Sequence, residues 1–301
     1  MTSEALDLGF DDKSIARMVR SGEWHRLRHG AYCSGAAWRD SDDRQRRMLV
    51  AHAVYRSARV PVLLSHTSAL DRLDISYWDL GETAHLTRTD GKAGRSEAGV
   101  VQHRGAVFAH DVTRRSGFWV TDGTRTGLDV TTIADTERSL VVINGLLHAG
   151  ETTVLLLRQR LDGMAHWPDT LHTDLVLRLA DGRHESVGES RTGYLCWSQQ
   201  LPAPTPQYEI RDRTGRVVAR VDFAWPEYGV FLEFDGRIKY ERLLREGETS
   251  ADAVVREKRR EELICGLTGW RCIRITWADL FHPERTAARI RAALAGQPWA
   301  A

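Results

Sequence analysis

The stretch Val221–Gly236, VDFAWPEYGVFLEFDG, decides the fold of the C-terminal part of this chain. It contains two apolar runs on either side of the turn-forming letters PEYG, which is the pattern of two successive β-strands. Side chains alternate between the faces of a strand, so Asp222 points away from its apolar neighbours, and Glu233 and Asp235 share one face. The sequence therefore predicts three carboxylates on one side of adjacent strands.

Further elements are predicted on both sides of this stretch. Before it, GESRTGYLCWSQQL has the spacing of a helix that begins near Glu189 and ends before Pro202, and PQYEIRD has the pattern of a strand. After it come a charged helix in VVREKRREELICGL, an apolar strand in WRCIRITW and a last helix in PERTAARIRAAL. The predicted order is α-β-β-β-α-β-α. If the first helix crosses the face of the carboxylates, Glu189 becomes a fourth acid there.

Two explanations of these acids stay open. Like charges repel unless something neutralises them, and a hard divalent cation such as Mg²⁺ prefers oxygen ligands, so the set predicts a metal site. In the simpler explanation, Asp235 begins a turn, and Asp222 and Glu233 pair with arginines such as Arg220 or Arg274. Taken singly, each acid favours the simpler explanation, but their position together on consecutive strands favours the metal.

The C-terminal segments resemble the PD-(D/E)XK nuclease superfamily, in particular the branch akin to very-short-patch-repair endonucleases. The resemblance rests on GESRTGYL, VDFAWPEYGVFLEFDGRIKY and REKRREELICGLTGWRCIRITWADL, and it covers roughly residues 185–295. It implies a small mixed sheet flanked by helices and Mg²⁺-dependent phosphodiester cleavage. Glu189 matches the acid that the superfamily carries on a helix, Asp222 its central metal-binding aspartate, and Glu233 the first acid of the (D/E)-x-K element.

The chain departs from this pattern where the superfamily has its lysine, because Asp235 stands there. Lys239, on the following segment, is the candidate to supply the missing ammonium, and Lys258 on the next helix is an alternative. Both are solvated lysines in the simpler explanation. The catalytic residues that the resemblance implies are Glu189, Asp222, Glu233 and Lys239. The metal ligands that it implies are Glu189, Asp222, Glu233 and Asp235. The expected ion is Mg²⁺ or Mn²⁺.

The N-terminal segment predicts a small DNA-binding unit. Two short helical stretches are separated by Gly9, and Asp11 or Asp12 is placed to cap the second. Apolar and basic residues then alternate around a Gly30 turn, as in the strand pair, or wing, of a winged helix. Five basic residues are candidate DNA contacts: Lys13, Arg17, Arg20, Arg26 and Arg28. Charged helix faces are often only solvated, so spacing alone leaves DNA contact open.

The same segment, DDKSIARMVRSGEWHRLRHGAYC, resembles the winged helix of AbiE-type antitoxins from type IV toxin–antitoxin systems. The words SHTSAL, AHLTRT and VTDGTRTGLD extend the resemblance into the middle of the chain. It implies DNA and a cognate toxin protein as partners.

The middle of the chain predicts helices followed by a β-rich region. A helix is expected in DDRQRRMLVAHAVYRSAR and in SHTSALDRL, strands in ETAHLTRT, GVVQHRG and FWVTDGTRTGLDV, and helices again in SLVVINGLLHAG and ETTVLLLRQRL. Ser65 and His66 are adjacent, but adjacency gives no catalytic triad geometry. A polar cap at the start of a helix explains them instead.

The bulk properties fit an ordinary globular protein of more than one domain. The 301 residues are 42% hydrophobic and 28% charged, and the net charge of +1 neither supports nor excludes nucleic acid. The four cysteines show no zinc-finger or disulfide spacing. The N-terminus lacks a signal-peptide pattern and no apolar run is long enough to span a bilayer, so a cytoplasmic location without a membrane partner is expected.

The expected fold class is mixed α/β. We expect a winged helix-turn-helix at residues 1–40, an antitoxin-like α/β domain at 41–180 and a restriction-endonuclease-like mixed sheet at 185–301. Two functions follow as hypotheses. The first is a Mg²⁺-dependent DNA endonuclease in phage defence or DNA repair, and the second is a non-catalytic DNA-binding regulator or antitoxin with a degenerate nuclease fold.

Overall fold

The computed structural model describes residues 1–97, 99–164, 167, 170–236 and 250–296, without the side chains of residues 250–254 and 257. Lys239, a predicted catalytic residue, lies outside the described residues. The chain divides into two compact units, Met1–Arg178 and Leu179–Ala301. The boundary expected from the sequence at residues 180–185 stays a prediction. The separate domain expected at residues 1–40 stays a prediction. Among the described residues, no helix is long and apolar enough to cross a membrane.

The first unit begins with two helices, a strand pair and two further helices. These elements are α1 (Thr2–Asp7), α2 (Asp12–Arg20), β1 (Trp24–Arg28), β2 (Ala31–Ser34), α3 (Gly35–Asp40) and α4 (Asp43–Ser57). The predicted cap at the second helix is confirmed, because Asp11 Oδ1 accepts a hydrogen bond from Ser14 N at 2.8 Å. Gly30 has a φ of 74° between the antiparallel strands β1 and β2, a conformation that favours glycine.

Aromatic packing fixes the wing against the helices. The ring of Trp24 lies 5.0 Å from Phe10, which precedes α2, and 5.8 Å from Tyr32 on β2. Ile15 on α2 is buried, so the apolar face of this helix points inward and its basic face points to solvent. The helix-plus-wing pattern predicted from the sequence is therefore present as local structure.

A six-stranded sheet forms the centre of the first unit. Its strands are β3 (Val62–Leu64), β4 (Ala84–Arg88), β5 (Ser96–Glu97), β6 (Val100–Arg104), β7 (Val112–Arg115) and β8 (Phe118–Thr121). They lie in the order β5-β6-β4-β3-β8-β7, with β4 parallel to β6 and β3 parallel to β8. The other neighbouring pairs are antiparallel.

The helices that follow β3 in this unit include one, at His66–Leu73, that packs on the sheet, and others that pack against it or against one another; one of these others corrects a prediction. They are α5 (His66–Leu73), α6 (Gly123–Thr131), α7 (Thr136–His148), α8 (Val154–Asp162) and α9 (Thr173–Leu179). The sequence FWVTDGTRTGLDV was expected to be β throughout, but only its first residues form β8. Asp122 caps α6 by accepting a hydrogen bond from Arg125 N at 2.7 Å, and every residue of this helix is buried. Tertiary packing overrides the preference of its threonines for strands.

A buried ion-pair network connects α6 and α8 with the turn that precedes β7. Asp111 accepts hydrogen bonds from Arg160 Nε and Nη2 at 2.8 and 3.0 Å, from Arg125 Nη1 at 3.0 Å and from Phe108 N at 2.9 Å. Burial alone would raise the pKa of Asp111, but these hydrogen bonds and the positive charges of the two arginines hold the pKa below its ordinary value. Arg125 also donates to Asp129 Oδ1 at 2.7 Å.

The second unit has the element order predicted from the sequence, with one additional short helix after its last strand. Its elements are α10 (Val187–Ser198), β9 (Thr205–Arg211), β10 (Val217–Trp225), β11 (Val230–Asp235), α11 (Ser250–Thr268), β12 (Arg271–Thr276), α12 (Trp277–Leu280) and α13 (Pro283–Leu294). The four strands lie in the order β12-β11-β10-β9. β9, β10 and β11 are antiparallel neighbours, whereas β12 runs parallel to β11 after the crossover that contains α11. Mixed helices and sheets confirm the predicted α/β class.

Helices cover both faces of this sheet. One face packs with α10 and α13, and its buried side chains include Leu195, Phe223, Phe234 and Ile290. The other face packs Phe231 with Ile264 of α11. The two faces therefore follow the alternation that the sequence predicted along β11.

Candidate functional site

Two of the predicted acids lie opposite each other on neighbouring strands of the second unit. Phe223 pairs with Leu232 in the antiparallel ladder of β10 and β11, so the next position along each strand brings Asp222 beside Glu233. Asp222 Oδ2 accepts a hydrogen bond from Phe234 N at 2.8 Å. Both side chains are half-buried. Alternation places Glu233 on the face of α11.

Glu233 is paired with arginines, as one of the two sequence-based explanations expected. Its Oε1 lies 2.6 Å from Arg260 Nη1 on α11, and its Oε2 lies 4.0 Å from Arg274 Nη2 on β12. The expectation was right for Arg274 but wrong for Arg220, whose Nη2 lies 2.5 Å from Glu185 Oε1. Glu233 and Arg274 pair in register on the neighbouring strands β11 and β12, which explains the contact between them.

Glu189 does not lie on the face of the sheet that carries Glu233. Its helix, α10, packs on the opposite face of the sheet. The carboxylate of Glu189 is buried and accepts hydrogen bonds from Ser186 Oγ at 2.7 Å, Glu185 N at 2.9 Å and Gln207 Nε2 at 2.8 Å. On β9, the neighbours of Gln207 pair with Val221 and Phe223, so Gln207 itself lies opposite Asp222. Through its hydrogen bond to Gln207, Glu189 therefore contacts the strand next to that of Asp222.

The remaining candidates of the second unit are spread further apart. Asp235 is the last residue of β11 and pairs in register with Thr276, and Lys258 is exposed on α11. In the described part of the chain, no three of the acids Glu189, Asp222, Glu233 and Asp235 bring ligand atoms within 4.8 Å of one another. Their oxygen donors fit the chemistry of Mg²⁺, which binds through one or two carboxylates and keeps several waters. The four-acid metal set stays a prediction.

The five basic residues predicted to contact DNA lie on α2 and on the wing. Lys13, Arg17 and Arg20 are exposed on α2, and their spacing of four and three residues places them on one side of the helix. Arg26 on the wing is exposed and Arg28 is half-buried. Within the described ranges, none of these five side chains forms an ion pair with a carboxylate. We refer to these five residues as the basic stripe.

Sequence reasoning missed a group of three histidines in the first unit. His66 begins α5, His85 lies on β4 and His103 lies on β6, and one ligand atom from each lies within 4.8 Å of the other two. His85 Nδ1 is 2.8 Å from His103 Nε2, and the rings of His66 and His103 stack with centroids 3.7 Å apart. We refer to these residues as the histidine cluster.

Burial governs the charge state of the histidine cluster. It lowers the pKa of His85 to about 4 and that of His103 to about 4, with a smaller contribution from neighbouring positive charge. His66 is fully enclosed, and burial followed by the other two histidines lowers its pKa well below the ordinary value. All three imidazoles are therefore neutral at neutral pH. Burial also raises the pKa of the nearby Asp129 to about 6.

Ser65 plays a different part from the helix cap that the sequence predicted. It is the residue that precedes α5, but its side chain makes no capping hydrogen bond to that helix. Its Oγ instead lies 2.9 Å from His66 Nδ1 and accepts a hydrogen bond from Thr87 Oγ1 at 2.9 Å. The hydroxyl therefore orients the imidazole rather than capping the start of the helix.

Comparison with known proteins gives a result for the N-terminal segment. Residues 2–35 match the family model described as "Transcriptional regulator, AbiEi antitoxin". No curated protein matches the chain. The match spans α1, α2 and both strands of the wing, so this segment is similar to regulators of the antitoxin type. It supports the N-terminal part of the resemblance, with DNA and a toxin as the kinds of partner it suggests. The nuclease resemblance stays a prediction.

Proposed function

We propose that this protein is a DNA-binding transcriptional regulator of the antitoxin type. The observation that carries the proposal is the basic stripe, which lies on the segment that matches the antitoxin family. A helix fits the major groove of DNA, and exposed cations next to it neutralise phosphates. Because Lys13, Arg17 and Arg20 have no carboxylate partner among the described residues, binding DNA breaks no ion pair at these positions.

Salt dependence of binding to the DNA upstream of its own gene tests this proposal. Each phosphate contact contributes about 0.9 to the slope of log affinity against log salt, so replacing Lys13, Arg17 and Arg20 by alanine is expected to reduce the slope by roughly 2.7. Fluorescence anisotropy with labelled duplexes measures it. A scrambled duplex reports the non-specific contribution.

A matched variant distinguishes the loss of specific DNA contacts by the basic stripe from a general effect of lower positive charge. Lys92, Arg95 and Arg114 are exposed basic residues in the same unit but outside the stripe. Replacing these three by alanine removes the same charge and is expected to leave the slope nearly unchanged. Equal losses in the two triple variants, or no promoter binding by the parent protein at low salt, would refute the proposal.

The family description also suggests a toxin as partner. We propose that the product of an adjacent gene is this partner, since toxin and antitoxin act as a pair. Co-expression of the two proteins tests it. We expect the toxin to stop growth when it is expressed alone and not when this protein is present, and unchanged toxicity would contradict the pairing.

A second candidate function is metal-dependent cleavage of phosphodiester bonds. It is favoured by one observation, the facing positions of Asp222 and Glu233 on neighbouring strands. These two carboxylates would hold Mg²⁺ or Mn²⁺, and such an ion, when bound, polarises the phosphate and lowers the pKa of a bound water. Arg260 competes for Glu233, so the regulator remains the better supported function.

Cleavage assays on plasmid and single-stranded DNA with Mg²⁺ or Mn²⁺ test this second candidate. Asp222→Asn is expected to abolish cleavage, whereas Glu227→Gln, which neutralises an exposed acid on the turn after β10, is expected to retain it. Arg260→Gln is expected to strengthen metal binding, because it releases Glu233 from its ion pair. Absence of cleavage, or cleavage that persists in Asp222→Asn, would rule out this function.

A further inference from the structure

We propose that His66, His85 and His103 bind one transition-metal ion of the zinc class. The histidine cluster is independent of both functions proposed above, because it lies outside the family match and in a different unit from the acids. Its members come from the start of α5 and from the neighbouring parallel strands β4 and β6, so the central sheet of the first unit assembles the site.

The spacing of the nitrogens suits such an ion after a small adjustment. Zinc is held by histidine nitrogens at about 2.0–2.1 Å, which places two tetrahedral ligands roughly 3.4 Å apart. The ligand atoms of the histidine cluster all lie within 4.8 Å, and His85 Nδ1 and His103 Nε2 are 2.8 Å apart. Ring rotations that replace the His85–His103 hydrogen bond and the stacking of His66 on His103 would turn the three nitrogens toward one ion.

Polar groups behind His66 form the kind of outer shell that metal-binding histidines have. A ligating imidazole usually donates its other N–H to a hydroxyl, carbonyl or carboxylate oxygen. His66 Nδ1 lies 2.9 Å from Ser65 Oγ and 4.0 Å from Asp129 Oδ2. That carboxylate oxygen is buried without a hydrogen-bond partner in the described structure. A proton on Nδ1 directed to these oxygens leaves the lone pair of His66 on Nε2 for the ion.

The ligand type and the backbone support the same assignment. Neutral imidazoles select zinc, copper, nickel or iron, whereas Mg²⁺ requires oxygen ligands. Three protein ligands leave a fourth position for water or another small ligand, and the partly exposed His103 provides the access. His66 adopts a φ of 52°, an uncommon left-handed conformation of the kind that concentrates at functional sites.

Cobalt titration of the full chain tests the proposal. After removal of metal with a chelator, Co²⁺ is added and its visible d–d absorption is recorded. We expect one Co²⁺ per chain with the intense band of a tetrahedral site, displaced by one equivalent of Zn²⁺. His103→Gln and His85→Gln should lose the band, and Ser65→Ala should weaken binding about 10- to 100-fold because it removes the oriented oxygen.

Two control variants exclude other sites. His110→Gln removes an exposed histidine of the same unit, and Asp222→Asn removes the best-placed acid of the second unit; both should keep the band. Circular dichroism verifies that each variant is folded. X-ray absorption on the zinc-loaded parent protein adds a test that needs no substitution, since it must show three nitrogen ligands. No uptake by the parent protein, sulfur ligation, or a band that survives in folded His103→Gln overturns the proposal.

Discussion

Replacing Asp111 by alanine is expected to destabilise the first unit strongly. The carboxylate is only 1% exposed and receives three hydrogen bonds from Arg125 and Arg160, which are 1% and 9% exposed. Removing one partner of a buried ion pair costs about 3–5 kcal/mol, because the opposite charge stays buried without compensation. Arg125 keeps its bond to Asp129, so we expect the lower end, about 3 kcal/mol.

This loss is large enough to measure as a melting shift. For a unit of this size, 1 kcal/mol lowers the midpoint by about 2–4 °C, so Asp111→Ala should lower it by about 6–12 °C in differential scanning calorimetry. Glu151→Ala is the control, because the Glu151–Arg115 pair at 3.1 Å has side chains that are 24% and 40% exposed. Such a pair contributes about 0–1 kcal/mol. Equal shifts in the two variants would refute the reasoning.

Three further predictions follow from burial and close packing. The folded pKa of Asp111 lies below the ordinary 3.8, so its contribution to the free energy of unfolding is complete above that pH and is lost as the pH falls through the folded pKa. In urea titrations, the difference in stability between the parent protein and Asp111→Ala should therefore narrow below about pH 4 and stay unchanged at pH 6. Gly188→Ala places a Cβ 2.0 Å from the ring of Phe234 and should lower the free energy of unfolding by about 1–3 kcal/mol. Gly266→Ala has open space in α11 and should raise it by about 0.5–1 kcal/mol. Thermal melts in which Gly188→Ala is the more stable variant would contradict this packing. Burial raises the pKa of Cys196 to about 12, so mass spectrometry should find this thiol unlabelled by iodoacetamide at pH 8 until denaturant is added.

The sequence predicted the second unit better than the first, for a physical reason. Along β11 the alternation of apolar and acidic residues identifies the strand and its faces directly, because each face meets a different layer. In α6 the signal is weak, since all its residues are buried and two glycines and three threonines suit neither a helix nor an exposed face. A helix that is buried all round has no amphipathic pattern from which it could be recognised.

The candidate sites divide in the same way. Alternation along the strands predicted that Asp222 and Glu233 lie on the same side of the sheet. It did not predict the ion pair of Glu233 with Arg260, because Arg260 lies on a helix further along the chain. The histidine cluster left no local pattern, because its members lie on three elements that only the folded sheet brings together. Spacing rules for metal ligands find sites within one or two elements, and a site assembled across a sheet has no such spacing.

Gln207 has a consequence for the edge of the C-terminal sheet. β9 is an outer strand of that sheet, and outer strands expose unpaired backbone groups that can recruit strands of other molecules. Pro206 has no backbone N–H, and the φ of 51° at Gln207 interrupts the extended backbone that a recruited strand would have to follow. The residue that holds Glu189 in place thus also makes this edge a poor template for a strand of another molecule.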